Sequence, residues 1–442
     1  MKKLPEIKKV LGENNIRFVY FQFVDLNGKL YSITIPFEKL DSVVGGGIGI
    51  DGYSCDFLSV EKSDLIIRPD LDTLMILPWE TSTGKVASFL CDIYEADGIT
   101  PFGPDPRNVL KIALKKMKAQ LGEEVEFLVV PELQFWLMKR ENGRLCLFDD
   151  ASYFSPPPNV KGTEIRQEMA IALARAGIFT EKSHHETTEG KYEVNIDHGP
   201  ALNIADTMLK YKFIIKNVAA RHGLIVSFMP KPFGDRAGNG MHYHQNLAQK
   251  GRNLFSDANS KYFNLSQMAF NFIGGQLKHS KALVAITNPT INSYKRFHQV
   301  KGTEAPSYIL WAQYNRTSLI RVPPSSVKAA RFEFRGGDGS MNPYLGFAAF
   351  LMTGLDGIEN RINPPEPVEE NVHALSSSQR KEKQIGELPW NLAEAIDELE
   401  KDAVVKEALG PACDRFVFLK RKEWRDYGRV VTDWELEKYL DV

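Results

Sequence analysis

The chain has 442 residues and little cysteine: Cys55, Cys91, Cys146 and Cys413 are scattered, with no C-x-x-C pair. That argues against a disulfide framework and a thiolate metal site, and for a reducing compartment, so a cytoplasmic location is expected. Net charge is nearly absent: 55 basic residues face 56 acidic ones. Bulk electrostatics therefore offer nothing to nucleic acid or to an acidic partner. Long apolar runs are missing too. "GFAAFLMTGL" (346–355) is the longest candidate, well short of the ~18 residues that span a bilayer, and it reads as a buried helix. The opening "MKKLPEIKKV" is basic, but no apolar run follows as a secretory signal requires. There is no G-x-x-x-x-G-K-[ST] loop for phosphates. "GIGIDG" (47–52) has the G-x-G-x-x-G spacing without a strand before it or an amphipathic helix after it, and is rejected as a dinucleotide fingerprint.

What is present is a globular composition, 43% hydrophobic and 25% charged, on a chain too long for one core. Residues 16–36 read as a β-hairpin: "IRFVYFQFV" is β-branched and aromatic, Asn27-Gly28 supplies the turn, and "LYSITI" returns to Pro36. Strand candidates continue to "ASFLCDIY" (87–94). "DGITPFGPDPR" (97–107) then reads as a linker ending in an N-cap, Asp105, and Pro106 at the first helical position. The expected division is 1–103 and 104–442. Beyond it, "EFLVVPELQFWLM" predicts a strand, "TEIRQEMAIALARAG" and "YKFIIKNVAARHG" helices, "LIVSFMP" a strand, and "NLAEAIDELEKDAVVKEALG" one helix stopped by Gly410. The polar, Pro-rich stretch 363–384 reads as a surface excursion, and there is no internal repeat.

Three short stretches place polar residues at strand spacing. In "PELQF", Glu132 and Gln134 share a face; in "HYH", His242 and His244; in "RFEFR", Arg331, Glu333 and Arg335. Any one alone is an ordinary amphipathic strand with a wet face. Solvated faces favour Lys and Thr, however, whereas these carry acids, imidazoles and guanidiniums, which bind hard cations and phosphate. A fourth stretch, "HHETTEGKYE", brackets a turn at Gly190 with Glu186 and Glu193. Together Glu132, Glu186, Glu193, His242 and Glu333 form an oxygen-rich set with one imidazole, suited to Mg²⁺ or Mn²⁺. Arginines at 296, 316, 321, 331 and 335 accompany them. Acids for metal and arginines for oxyanions suggest phosphoryl transfer from a nucleotide.

The same stretches, with "DGYS" (51–54), "FMPKPFGDRAGNGMHYH" (228–244), "TNPTINSYKR" (287–296), "EAP" (304–306), "NRTSLIRVP" (315–323), "NPYL" (342–345) and "VTDWELEKYL" (431–440), resemble type I glutamine synthetase over nearly the whole chain. The resemblance implies an α+β protein: a small N-terminal β-grasp domain, then a large catalytic domain with a curved antiparallel sheet and flanking helices. It implies a homo-oligomer of two stacked hexameric rings with active sites between subunits, and ATP-dependent ligation of glutamate and ammonia through γ-glutamyl phosphate. It implies two or more Mg²⁺ or Mn²⁺ ions per site, with ATP as co-substrate. Glu132, His242 and Glu333 match ligands of the metal on the ATP phosphates. Glu186, Glu193 and position 134 match those of the other metal. Arg316 and Arg331 match residues on the transferring phosphoryl group, the latter at an ATP-binding position. Gly238, Arg296 and Arg335 fall at substrate-binding positions. Glu181, His244, Asn246 and Lys328 fall at nucleotide-contacting positions. Glu304 matches the acid that shields the intermediate, and Asp51 one lent by a neighbouring subunit to draw off the ammonium proton.

The departures from the family pattern are Gln134 for a Glu, Ala237 for an Asn, Lys191 for a Gln, Thr303 for a Tyr, Asn246 for a Ser, an extra acid at Glu189, and about two extra residues between Arg296 and Glu304. They leave open a ligase of the same chemistry with another amine or carboxylate, and a catalytically silent structural or regulatory homologue.

Overall fold

The computed structural model describes residues 3–260, 264–298 and 305–442. The hairpin forms as expected: β1 (Ile16–Val24) and β2 (Leu30–Pro36) pair antiparallel with Val24 opposite Leu30. β3 (Ile48–Asp51), β4 (Asp64–Pro69), β5 (Met75–Thr81) and β6 (Gly84–Glu95) complete the sheet in the order β2-β1-β6-β4-β3, with β5 on β6. β1 and β6 run parallel and carry the stacked Phe21 and Phe89. "GIGIDG" thus lies mostly in β3, as part of a β-ladder. The hairpin turn is pressed onto the rest of the molecule. Asn342 donates to the Asp25 carbonyl at 2.9 Å. A Cβ on Gly28, whose φ is +80°, would lie 3.2 Å from the Asn342 Cα, so glycine serves there both for its dihedral and for the close approach.

The helix Pro106–Leu121 starts where the linker predicts, with the Asp105 side chain accepting from the Arg107 N–H. Arg107 then ties the small sheet to the large domain. Its buried guanidinium donates to Asp70 at 2.8 Å, to Asp92 at 2.7 Å, and through two nitrogens to Asp206 at 3.0 and 2.9 Å. Tyr344 adds a hydrogen bond to Asp206 at 2.6 Å.

In the large domain the run "EFLVVPELQFWLM" is two strands in two sheets. β7 (Val125–Pro131) pairs with β12 (Tyr243–Gln249), while β8 (Gln134–Glu141) pairs with β10 (Lys191–Ile196) and β11 (Ile225–Ser227). β7 ends at Pro131, which lies opposite Tyr243. At Glu132 and Leu133 the chain crosses, with the Glu132 N–H on the His242 carbonyl and the Leu133 carbonyl accepting from Val194. β9 (Thr180–His185) closes the second sheet beside β10. β13 (Ile320–Arg321) and β14 (Phe332–Phe334) extend the first beyond β12.

Helices pack behind. Pro343–Glu359 contains the apolar run and is buried along nearly its whole length. It crosses Gln267–Lys278 so closely that a Cβ on Gly357 would sit 2.0 Å from the Asn271 carbonyl oxygen. Other boundaries differ from the periodicity. The helix ending at Arg221 begins at Ala201, because its first turns carry buried Ile204, Met208 and Leu209 as well. The strand expected over "LIVSFMP" is confined to β11. The predicted single helix before Gly410 is two, Leu392–Lys401 and Ala403–Leu409. Asp402 breaks it by capping the second through the N–H groups of Val404 and Val405 while holding His279 at 2.6 Å. The excursion 363–384 includes a short helix, Ser377–Glu382, and buries Val368 and Val372 with Tyr308, Leu310 and Ile385 in a small separate cluster.

Two consequences can be measured. Arg107→Ala would leave a buried void among Asp70, Asp92 and Asp206, with only Lys111 still on Asp92 and Tyr344 on Asp206 among the side chains named, and should cost about 3–5 kcal/mol, read as a fall in the urea or thermal midpoint. Burial pushes the Asp25 carboxyl up to about 6, against the lowering effect of the Lys29 and Asn27 N–H groups. The unfolded chain therefore ionises this group first, so its contribution to stability is lost as pH rises from about 4 through about 6. Asp25→Asn should flatten the thermal midpoint over that pH window.

Candidate active site

Both large-domain sheets face one open cleft of about 1510 Å³. Glu132, Gln134, Glu181, Glu186, Glu193, Gly238, His242, His244, Asn246, Arg296, Arg316, Lys328, Arg331, Glu333 and Arg335 all line it. The sequence spreads these residues over two hundred positions; the sheets gather them. Of the other two candidates, Glu304 lies outside the described residues. Asp51 is exposed at the end of β3, away from the described lining of this cleft, and its carboxylate accepts from the Tyr53 N–H at 2.9 Å and the Ser54 hydroxyl at 2.5 Å.

The Glu132 crossing splits the acids into two clusters. In the first, donor atoms of Glu132, His244 and Glu333 lie within 4.8 Å of one another. His244 Nε2 is 3.1 Å from Glu132 and 3.3 Å from Glu333, and His242 Nδ1 is 2.6 Å from the other Glu132 oxygen. His244, expected to face only the nucleotide, is therefore drawn in with the acids, and His242 stands immediately beside them. Burial would raise the Glu132 carboxyl, but His242 and His244 outweigh it and hold the group well below the usual range. Glu333 is likewise brought down to about 2 against its burial, by His244 and Arg335. Arg321 and Arg335 each donate to Glu333, at 3.1 and 2.9 Å. The first cluster is thus ionised and pre-set, with two oxygen donors and imidazole nitrogen, a set that fits a hard dication.

The second cluster is His184, Glu186 and Glu193, also within 4.8 Å. Gln134 reaches it because β8 and β10 are in register, Gln134 opposite Glu193. Its Nε2 donates to Glu193 at 2.8 Å, and Asn195 donates to the other Glu193 oxygen at 2.9 Å. Glu132 and Gln134 thus serve different clusters because a sheet crossing lies between them. Glu189 does not join: its carboxylate is 3.8 Å from Arg236.

Reading the sequence misses two supports. His184 belongs to the second cluster, and its place two residues before Glu186 on β9 was the available signal. Asp149, fully buried, accepts from the Gly190 N–H at 3.0 Å and from Tyr192 OH, and its Oδ1 lies 3.0 Å from His185 Nε2. It clamps the turn that carries both glutamates, and nothing in its local sequence marks it. Elsewhere in the lining, Arg296 is buried and donates to the Gly337 carbonyl at 2.9 Å, and Gly240 leaves room for its guanidinium.

Two sheets joined at a crossing lined by carboxylates and imidazoles, together with a small separate N-terminal sheet, place this chain among two-domain proteins with a cation- and phosphate-competent cleft. The family's catalytic-domain model matches residues 103–439 and its β-grasp-domain model residues 15–96. The chain belongs to the glutamine synthetase family. It is 43% identical over 440 residues to the glutamine synthetase of Methanocaldococcus jannaschii, covering 97% of this chain and 96% of that protein. It is 43% identical to that of Thermotoga maritima, covering 99% of each. Among solved structures, a GmaS/ADP complex superimposes with a TM-score of 0.90 at 32% identity over 100% of both chains. The glutamine synthetase of Plasmodium falciparum shares the fold, with a TM-score of 0.87 at 23% identity over 99% of each chain.

Asp149→Ala should leave the buried partners of the clamp unpaired, at about 1–3 kcal/mol each. The expected result is a lowered thermal midpoint together with a raised metal requirement for activity, since the turn bearing Glu186 and Glu193 loosens.

Proposed function

We propose that the chain is an ATP-dependent glutamate–ammonia ligase. The observation that carries this is the cleft itself: two clusters of carboxylate and imidazole face a set of arginines in a chain 43% identical to glutamine synthetases along its length. In this reading a γ-carboxylate oxygen of glutamate displaces ADP from the γ-phosphoryl group. Ammonia then attacks the acyl phosphate, and the carbon–oxygen bond to phosphate breaks. Carboxylate oxygen alone is a poor leaving group, whereas phosphate is a good one.

The residues divide the work by charge. Arg316, Arg331 and Lys328 line the cleft where they can bind phosphate oxygens, with Glu181, His244 and Asn246 beside the nucleotide. Arg296, Arg335 and the backbone at Gly238 serve the carboxylate substrate. Glu132 and Glu333 with a neighbouring imidazole, His242 or His244, would hold Mg²⁺ or Mn²⁺; Glu186 and Glu193 offer a second place, with Gln134 beside them. A bound dication would withdraw charge from the phosphate oxygens. Glu304 shields the intermediate and takes a proton from the amine, because ammonium cannot attack.

The assembly follows from Asp51. Its exposure, and its absence from the lining residues of its own cleft, support a homo-oligomer in which each small domain serves a neighbour, and we read two stacked hexameric rings. The last helix, Asp433–Tyr439, leaves Trp434, Leu436 and Tyr439 exposed, an apolar face that a second copy would cover. No described helix is long and apolar enough to cross a membrane. The linker before Asp105 is our boundary between the two domains.

Gln134 and Ala237 favour a second reading: the same chemistry on another carboxylate or another amine. An amide in place of an acid removes a full charge beside Glu193, and a charge-assisted hydrogen bond is worth about 1.5–3 kcal/mol. Phosphate release from ATP with Mg²⁺, over a panel of carboxylates and amines, separates the readings. Glutamate with ammonia should give the fastest turnover and glutamine as product; turnover only with another pair would establish the second. Gln134→Glu should lower the apparent KM for glutamate or metal.

Glu304→Ala should retain ATP binding and lose ligation by about 10²–10⁴-fold, the range of a general base. Inactive Asp51→Ala and Glu304→Ala chains, co-expressed and mixed within one oligomer, should regain part of the activity. No recovery would place Asp51 outside the neighbour's site.

A further inference from the structure

Arg316 is carried by a loop that the polar excursion 363–384 fastens. The loop joins Trp311–Ala312 to β13, two short strands that pair parallel, and the exposed Arg316 side chain lines the cleft. The excursion contributes no residue to the described cleft lining. Its Glu369 accepts from three successive backbone N–H groups of the loop: Gln313 at 2.7 Å, Tyr314 at 2.9 Å and Asn315 at 3.2 Å. Asn315 answers with its side chain, whose Nδ2 donates to the Val368 carbonyl at 3.0 Å and the Glu370 carbonyl at 2.7 Å. Its Oδ1 accepts from the Thr317 N–H at 2.9 Å and the Thr317 hydroxyl at 2.7 Å, so all four places of this buried amide are used. At the start of the loop the Trp311 indole N–H donates to the Pro365 carbonyl at 2.6 Å, and the Val368 N–H to the Trp311 carbonyl at 3.0 Å. The Arg316 carbonyl accepts from Arg335 Nε at 3.1 Å, and Arg335 donates in turn to Glu333 at 2.9 Å. Both neighbours of Arg316 in the chain are therefore pinned. Glu369 is exposed, and water alone would satisfy its carboxylate. What its three bonds achieve is to fix the peptide planes that lead into Arg316, as a nest of successive N–H groups fixes an anion.

We propose that Glu369 is a positioning residue for Arg316, and that the excursion is a strap which aims this guanidinium at the phosphoryl group. Glu369 acts only through residues 313–315. Without its carboxylate the loop keeps its chain ends but loses the bonds that set its path, and the guanidinium at its tip shifts. A misplacement of about 1 Å at a group that stabilises the transition state costs on the order of 10²-fold in rate. The inference rests on the reading above, in which Arg316 binds phosphate oxygens.

The test is a double-mutant cycle on the full-length protein, with phosphate release and glutamine formation as readouts. Glu369→Ala should lower kcat by about 10–10²-fold and change the KM for ATP by no more than about threefold, the split expected when an interaction of the transition state is lost. In the Arg316→Ala background the same substitution should cost no more than about twofold, because no guanidinium remains to be misplaced. Glu369→Gln, which keeps an acceptor oxygen for the loop, should fall between wild type and Glu369→Ala, and it carries the same cycle should Glu369→Ala not fold. Amide hydrogen exchange at 313–315 should speed up in Glu369→Ala while β12 and β14 keep their protection, which shows that the variant is folded. Wild-type kcat in Glu369→Ala, or the same loss in both backgrounds, would overturn the proposal and leave the ligase reading standing. If wild type turns over only another carboxylate–amine pair, the glutamate reading falls and the cycle is read on that pair. No turnover with any pair would overturn both.

Discussion

Between Pro131 and Gln134 the backbone leaves one antiparallel sheet for another, and the cleft depends on that crossing. β7 ends at Pro131, and Leu133 is buried, so the chain cannot loop outward there. It is held instead by the Glu132 N–H on one sheet and the Leu133 carbonyl on the other. Glu132 then faces β12 and β14, whereas Gln134 faces β10. The separation of Glu132 from Gln134, two residues apart in sequence, into two side-chain clusters follows from one interruption of a strand.

The crossing is useful only if the two sheets stay where they are, and buried polar pairs achieve this. Asp149 secures the turn of the second cluster from below. Arg107 secures the small domain, joining Asp70 and Asp92 of the small domain, on β4's side of its sheet and on β6, to Asp206 of the large domain. Each such group would be costly to bury alone and is stable because its partners are complete. A fixed small domain also fixes Asp51, at the end of β3, relative to the large domain.

The electrostatics differ between the clusters even though both contain two carboxylates and histidine. In the first, the imidazoles and Arg335 depress the acids so far that they are ionised throughout the neutral range. In the second, His184 and Gln134 lower Glu193 against its burial, while the Glu132 charge opposes them. A similar count of acids therefore gives two sites of different character, decided by what lies next to each carboxylate oxygen.

The sequence by itself determined which chemical groups are available. Acids, imidazoles and guanidiniums cannot be replaced by periodicity or packing, so Glu132, Glu186, Glu193, His242, Glu333 and the arginines could be picked out as candidates, and the structure gathers them on one cleft. The hairpin at Asn27-Gly28, the helix capped by Asp105 and the buried helix around 346–355 were legible because local backbone and burial rules suffice there. Tertiary structure decided the rest. Strand alternation put Glu132 and Gln134 on one face of one strand, but the ladder partners separated them. Helical periodicity ran through Asp402, but a cap and a histidine pairing broke the helix there. Asp149 is a long-range fact: a carboxylate clamps a turn some forty residues away. No local pattern encodes it, because it depends on which strands become neighbours.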